Sequence, residues 1–208
     1  MSSTDLDGDP GAAIELCRSA HARLVARVAT LTDDQARLAS RLPGWSVGHV
    51  LTHLARNADG HTRRLEGALR GQDVPRYQPR QRDGDIAEGE GRPAGEIVSD
   101  LGAAQAALEA VWDRSAAAGW PNRQMLGDDH WQTTGSPARR LREVEVHHVD
   151  LGLGYEPSDW PKDYVAWELP MVLATVPNRV RGPEDARDLV AWVIGRGSAP
   201  TGVQLDPW

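Results

Sequence analysis

The stretch RRLREVEVHHVDLG, Arg139 to Gly152, sets two glutamates, two adjacent histidines and an aspartate among valines and leucines. At 100° per residue, Arg140, Glu143, His147 and Asp150 fall in one arc of a helix, with Val144 and Leu151 on one side and Val146 on the other. A polar row with apolar neighbours on both sides is more easily buried than solvated, and buried charges need partners or a metal. Glu143 and His147 stand one turn apart and could grip one ion, as carboxylate–imidazole pairs do in bundle cores. Glu145 and His148 point elsewhere and are expected to be peripheral. The competing reading is an ordinary charged face, its i, i+4 pairs each worth only about 0.3 kcal/mol.

A second set of histidines lies in VGHVLTHLARNADGH, Val47 to His61. Val47, Val50, Leu51, Leu54, Ala58, Leu65, Ala68 and Leu69 share an arc about 100° wide, a core stripe. His49 and His53 are spaced i, i+4, but His49 lies almost opposite the stripe while His53 lies near its edge. His53 is therefore the inward candidate and His49 a solvated one. Asn57 and His61 continue the row, and His61 reads best as a hydrogen-bonded core histidine. One histidine from this helix with Glu143 and His147 makes a His₂Glu set. Three protein ligands with an open fourth position are the pattern of a catalytic zinc site.

Several helices must position these groups. The first is expected from Pro10 to Leu31, with Cys17, Leu24, Val28 and Leu31 on one face. Ser46 caps the second, which runs to about Arg70 and stops at Gly71. Residues 71–92 are rich in Gly, Pro and charge and read as a long loop, of a length that is often functional. Pro93 opens a third helix to about Ala118, carrying Ile97, Leu101, Ala104, Leu108 and Val111 or Trp112. After another loop, Ser136-Pro137 starts a fourth helix that runs to about Leu153. The tail contains helical patterns at 163–176 and 183–194 and a possible short strand in GVQLDPW. The expected organisation is a helical bundle over residues 1–155 and a small C-terminal unit over 156–208.

Bulk composition bounds the function. The chain has 208 residues and a net charge of −7, which argues against non-specific nucleic-acid binding. No apolar run approaches the roughly 20 residues of a membrane span, and the acidic N-terminus does not read as a signal peptide. A soluble, cytoplasmic protein is expected. Cys17 is the only cysteine, so an intramolecular disulfide and a cysteine-rich zinc site are excluded. Its place on a core face makes it a packing residue, not a nucleophile. Heavy Ala, Arg and Gly use with one lysine reflects a GC-rich genome.

LPGWSVGHVLTHLARNADGHTRRLEGAL resembles the N-terminal region of the mycothiol-dependent maleylpyruvate isomerases, which are DinB-like metal-binding four-helix bundles. RRLREVEVHHVDLGLGY resembles that family's second metal motif, a glutamate followed four residues later by a histidine, and AWVIGRGS and the closing DPW resemble the end of its C-terminal domain. The resemblance implies a mainly α fold: a DinB-like four-helix bundle followed by a small, shortened α/β C-terminal unit. It implies His53, Glu143 and His147 as ligands of Zn²⁺, and Arg196 in GRGS as the counterpart of a C-terminal arginine implicated in activity. Arg140 is a candidate for a substrate carboxylate or a pair with Glu143, and Asn57 and Arg140 are candidates for cofactor contacts. Trp45 and Trp131 are candidates for a cleft wall.

The reaction so implied is cis–trans isomerisation of a keto dioic acid. A thiolate adds to the double bond, the resulting single bond rotates, and elimination returns the thiol. Without a suitable cysteine in the chain, the thiol is a cosubstrate, mycothiol in that family and in an actinobacterial host. A free thiol has a pKa near 8.5, and a divalent ion can lower it or polarise the keto oxygen. A mycothiol S-transferase on the same scaffold and a non-catalytic metal-binding module remain open alternatives.

Overall fold

Asp9 begins the ordered bundle: its side chain accepts from the amide of Ala12, and Pro10 occupies the first helical turn, where a missing N–H costs nothing. The computed structural model describes residues 5–77, 81–121 and 132–198. Helix α1 spans Pro10–Val28 and α2 spans Asp33–Arg37. Thr32 and Gln35 form a capping box on α2, the reason α1 stops short of Leu31 and the chain restarts. Helix α3, Val47–Leu69, is capped by Ser46, and its N3 residue His49 reaches back to the Ser46 amide. Helices α5 (Ala94–Ala117) and α6 (Ser136–Asp150) complete the bundle.

The segment expected as a loop over 71–92 contains a further helix, α4, at Gln81–Gly89. Its periodicity rests on one apolar residue, Ile86, buried to 3 % exposure, too little to mark a helix against Gly84 and the surrounding charge. Contact with α3 makes up the difference. A Cβ on Gly48 would lie 2.5 Å from the Glu90 carbonyl oxygen, and one on Gly89 would lie 2.5 Å from Thr52 Cγ2. Two glycines thus allow α4 to approach α3 closely.

The four long helices close a ring: α3 packs beside α5, α5 beside α1, α1 beside α6, and α6 beside α3. Val50, Leu51, Leu54, Ala58 and Leu65 of α3 are buried, as the stripe predicted, together with Ile97, Leu101, Leu108 and Trp112 of α5. Cys17, Leu24 and Val28 of α1 and Leu141 and Val144 of α6 fill the rest. Each large apolar side chain contributes about 1.5–3 kcal/mol in area removed from water.

The chain falls into two compact units that meet in sequence between Tyr164 and Val165. Residues after α6 are tied back to the bundle: Trp160 Nε1 donates to the Glu145 carbonyl at 3.1 Å, and Arg41 pairs with Glu156. Helix α7, Lys162–Arg179, runs across the division and contains Pro170 and Pro177; α8 spans Pro183–Val193. The described residues are mainly α, with an isolated β-bridge between Ala39 and Ser46. The strand expected in GVQLDPW lies outside the described residues.

Candidate metal centre

His53, on the buried side of α3, and Glu143 and His147, on α6, meet where those helices pack. His53 Nε2 lies 3.1 Å and His147 Nε2 lies 3.6 Å from Glu143 Oε2. The two imidazoles stand edge to face, 4.8 Å between centroids. One ligand atom from each residue falls within 4.8 Å of the others, the one such His/Cys/Asp/Glu group among the described residues.

The donor set fits a zinc-sized ion. Ligand atoms about 2.05 Å from a tetrahedral ion stand roughly 3.3 Å apart, close to the two separations to Glu143. His147 Nδ1 lies 2.8 Å from Asp150 Oδ2, a contact in which Nδ1–H donates to the carboxylate, and a neutral ring so oriented offers its Nε2 lone pair toward Glu143. A carboxylate behind an imidazole is the usual orienting device for a metal-ligating histidine. His53 differs. With Glu143 ionised, His53 Nε2 donates to it and the bare Nδ1 faces Arg82 Nη2 at 3.5 Å. An ion on His53 Nε2 requires the other tautomer, which sets Nδ1–H against the Arg82 donor.

The charge states suit ligation. Burial lowers the His53 pKa, opposed by the hydrogen bond and charge of Glu143. Burial alone would raise Glu143, but the His53 hydrogen bond and the charges of His53, Arg76 and His147 hold it well below the usual carboxylate range. A neutral imidazole and an ionised carboxylate are what a metal needs. The half-buried Trp45 packs edge to face with His53, 5.7 Å between centroids, and forms one wall. Trp131 lies outside the described residues.

The other residues singled out from the sequence have the following surroundings. Arg140 is fully buried and donates to His21 Nε2, the Leu54 carbonyl and Asn57 Oδ1, at 3.1, 2.8 and 3.0 Å. Arg140 and Asn57 therefore engage each other inside the bundle, and Arg140 Nη2 has no hydrogen-bond partner. His49 is half-buried in the capping box, with Glu90 Oε2 at 3.4 Å. His61 is buried and hydrogen-bonded to Ser136 Oγ at 2.9 Å. Arg196 belongs to the second unit, where it is exposed and donates to the Ile194 carbonyl. Cys17 is buried at 3.7 Å from His21 Nε2, and burial pushes its thiol pKa up.

Glu145 and His148, expected at the periphery, are buried at 1 % and 2 % exposure. Glu145 takes hydrogen bonds from Arg23 and Tyr155, and His148 stacks on the Tyr155 ring at 3.9 Å. Helix α6 thus buries polar groups on two sides, which a one-stripe reading misses. A cavity of about 640 Å³ lined by Arg23, Arg27, His148, Tyr155 and Asp159 shares no residue with the triad. Two arginines that sequence reasoning passed over do reach the triad. Arg76 Nη2 lies 3.2 Å from His61 Nε2 and 4.0 Å from Glu143 Oε1, and Arg82 faces His53. Their only sequence signal was the length and charge of the 71–92 segment.

The model of the mycothiol maleylpyruvate isomerase N-terminal domain matches residues 17–152, most of the chain and all three residues of the triad. The chain belongs to that family. Its fold is similar to a solved structure described as the mycothiol-dependent maleylpyruvate isomerase, with a TM-score of 0.73, 23 % identity, and coverage of 80 % of this chain and 70 % of that one. A histidine-to-alanine variant of an enzyme so described matches at the same TM-score and 22 % identity, with the same coverage. No curated protein matches.

Proposed function

We propose that this chain is a zinc-dependent cis–trans isomerase of maleylpyruvate-like keto dioic acids, with mycothiol as its thiol cosubstrate. The observation that carries the reading is the His53–Glu143–His147 cluster, built from two helices inside the segment that the family model matches. Three ligands leave a tetrahedral ion one open position, as catalytic zinc requires.

In the reaction, the thiol gives up its proton, the thiolate sulfur bonds to one carbon of the double bond, and the π electrons move toward the keto oxygen; the proton returns when the thiol is released. The remaining single bond rotates. The carbon–sulfur bond then breaks, the double bond re-forms trans, and the thiol is regained. His53, Glu143 and His147 would hold a divalent ion, whose positive charge would favour thiolate over thiol and steady charge developing on oxygen. The protein's own groups do the rest. Asp150 fixes the His147 ring through Nδ1, so that Nε2 stays bare. Trp45 shields His53 from bulk water. Cys17 is sealed in the core with its thiol pKa raised, so the nucleophilic sulfur comes from outside the chain.

The test is a rate. Zinc-loaded protein is mixed with maleylpyruvate, with and without catalytic mycothiol, and both cis acid and total free thiol are followed. Thiol-dependent loss of the cis acid at constant free thiol is expected. Consumption of free thiol with substrate would point to a transferase. Absence of turnover in loaded protein would count against the isomerase.

A further inference from the structure

Several arginines of the bundle are closely matched to carboxylates. Arg18 reaches Asp113 at 2.7 Å, and Arg56 and Arg92 each reach Asp100 at 2.6 Å. The two that approach the triad have weaker acidic partners. Arg82, on the first turn of α4, keeps 42 % of its side chain exposed. Its partners are the neutral ring of His53 at 3.5 Å and Asp83 at 3.2 Å, itself 83 % exposed. An exposed pair of that kind is worth about 0–1 kcal/mol and is readily exchanged. Arg76 Nη2 stands 4.0 Å from Glu143 Oε1, and its Nε has no hydrogen-bond partner. Its carbonyl accepts from Arg63 Nη1, and its Cγ lies 2.7 Å from where a Cβ on Gly60 would stand, so its stem packs closely on α3.

Two guanidinium groups therefore face a candidate metal site without a committed counter-charge. Glu143 cannot neutralise Arg76 fully if its charge is shared with an ion. Arg82 cannot keep His53 Nδ1 as an acceptor once Nε2 is a ligand. A guanidinium in this state suits a carboxylate, which accepts two parallel N–H bonds.

Resting on the isomerase reading above, we infer that Arg82, assisted by Arg76, binds a carboxylate of a dianionic substrate and selects diacids over monoacids. Arg82 is the principal contact, because its present partners are weak and its head group is open. Arg76 is the fixed second cation. Helix α4 is then the element that brings the specificity-determining charge to the ligands on α3 and α6.

The experiment titrates the zinc-loaded full-length protein with succinate, a non-reacting dianion, by calorimetry. Wild type, R82Q, R82K and R76Q are compared, and zinc content is measured for each. Glutamine at 76 keeps the Cβ and Cγ that pack near Gly60. Loss of one charge-assisted pair is expected to weaken succinate binding about tenfold or more in R82Q, less in R82K, with zinc content unchanged. R76Q should fall between R82Q and wild type. The inference is overturned by wild type failing to bind succinate, by R82Q binding it as tightly as wild type, or by R82Q losing zinc. Maleylpyruvate turnover is scored separately. Arg82-dependent succinate binding without turnover would sink the isomerase reading and leave this inference standing.

Discussion

His147 shows how one neighbour sets the chemistry of another. The 2.8 Å contact to Asp150 fixes which nitrogen carries the proton, so the ring presents a lone pair to Glu143. Replacing Asp150 by alanine is expected to weaken zinc affinity about ten- to a hundredfold without removing a ligand. Competition with a chelating dye checks this, and unchanged affinity would show that the ring is held by packing alone. Cys17→Ala is expected to leave thiol-dependent turnover intact, since the sulfur is buried away from solvent. Loss of turnover at unchanged stability would return Cys17 to the reaction. At this scale the sequence was legible where helical phase decides: 100° steps put His53, Glu143 and His147 on facing arcs, and the structure brings them together. Phase could not say what a long side chain reaches. Arg140 lies on the same arc as Glu143, yet its guanidinium extends to His21, Leu54 and Asn57. Arg76 and Arg82 arrive through chain folding that no local period encodes.

At the scale of the element, α4 and α6 carry the lessons. Helix α4 has little intrinsic reason to form and depends on docking to α3, through Ile86 and the close approach at Gly48 and Gly89. Gly48→Ala would force a methyl group against the Glu90 carbonyl, a backbone atom that cannot swing aside. About 1–3 kcal/mol of destabilisation is expected from urea denaturation. A parallel loss of protection at α4 amides in hydrogen exchange should accompany it, and a neutral result would mean that α4 can shift. Helices α1, α3, α5 and α6 were readable from first-turn prolines, the Ser46 cap and apolar stripes: Ser46 before α3, Pro137 in the first turn of α6, and Ile97, Leu101 and Leu108 along α5. Ser136, expected as the cap of α6, instead lies in the helix, with Gly135 at the cap position and its own Oγ turned to His61 and Trp112. The two-sided burial of α6 was not, since Glu145 and His148 look like surface residues until Tyr155 folds over them.

The molecule as a whole buries several histidines in neutral form, and that sets its response to acid. Burial lowers His21 and His148 from an ordinary pKa near 6.5 to about 4. Between those values the unfolded chain binds protons that the folded chain refuses. Stability from these groups is therefore full above pH 6.5, falls as pH drops toward 4, and loses no more below it. Each group contributes about 3 kcal/mol over that range. The urea midpoint should fall steadily from pH 6.5 to 4.5, and His148→Gln should make the fall shallower. A flat midpoint in wild type would contradict the assignment. The central claim, that one metal site is assembled from α3 and α6, is tested most directly by zinc stoichiometry in purified wild type, His53→Ala and His49→Ala. About one zinc per chain in wild type and His49→Ala, and almost none in His53→Ala, is the expected result. Zinc retained in His53→Ala and lost in His49→Ala would contradict it, because the wrong face of α3 would then be holding the ion.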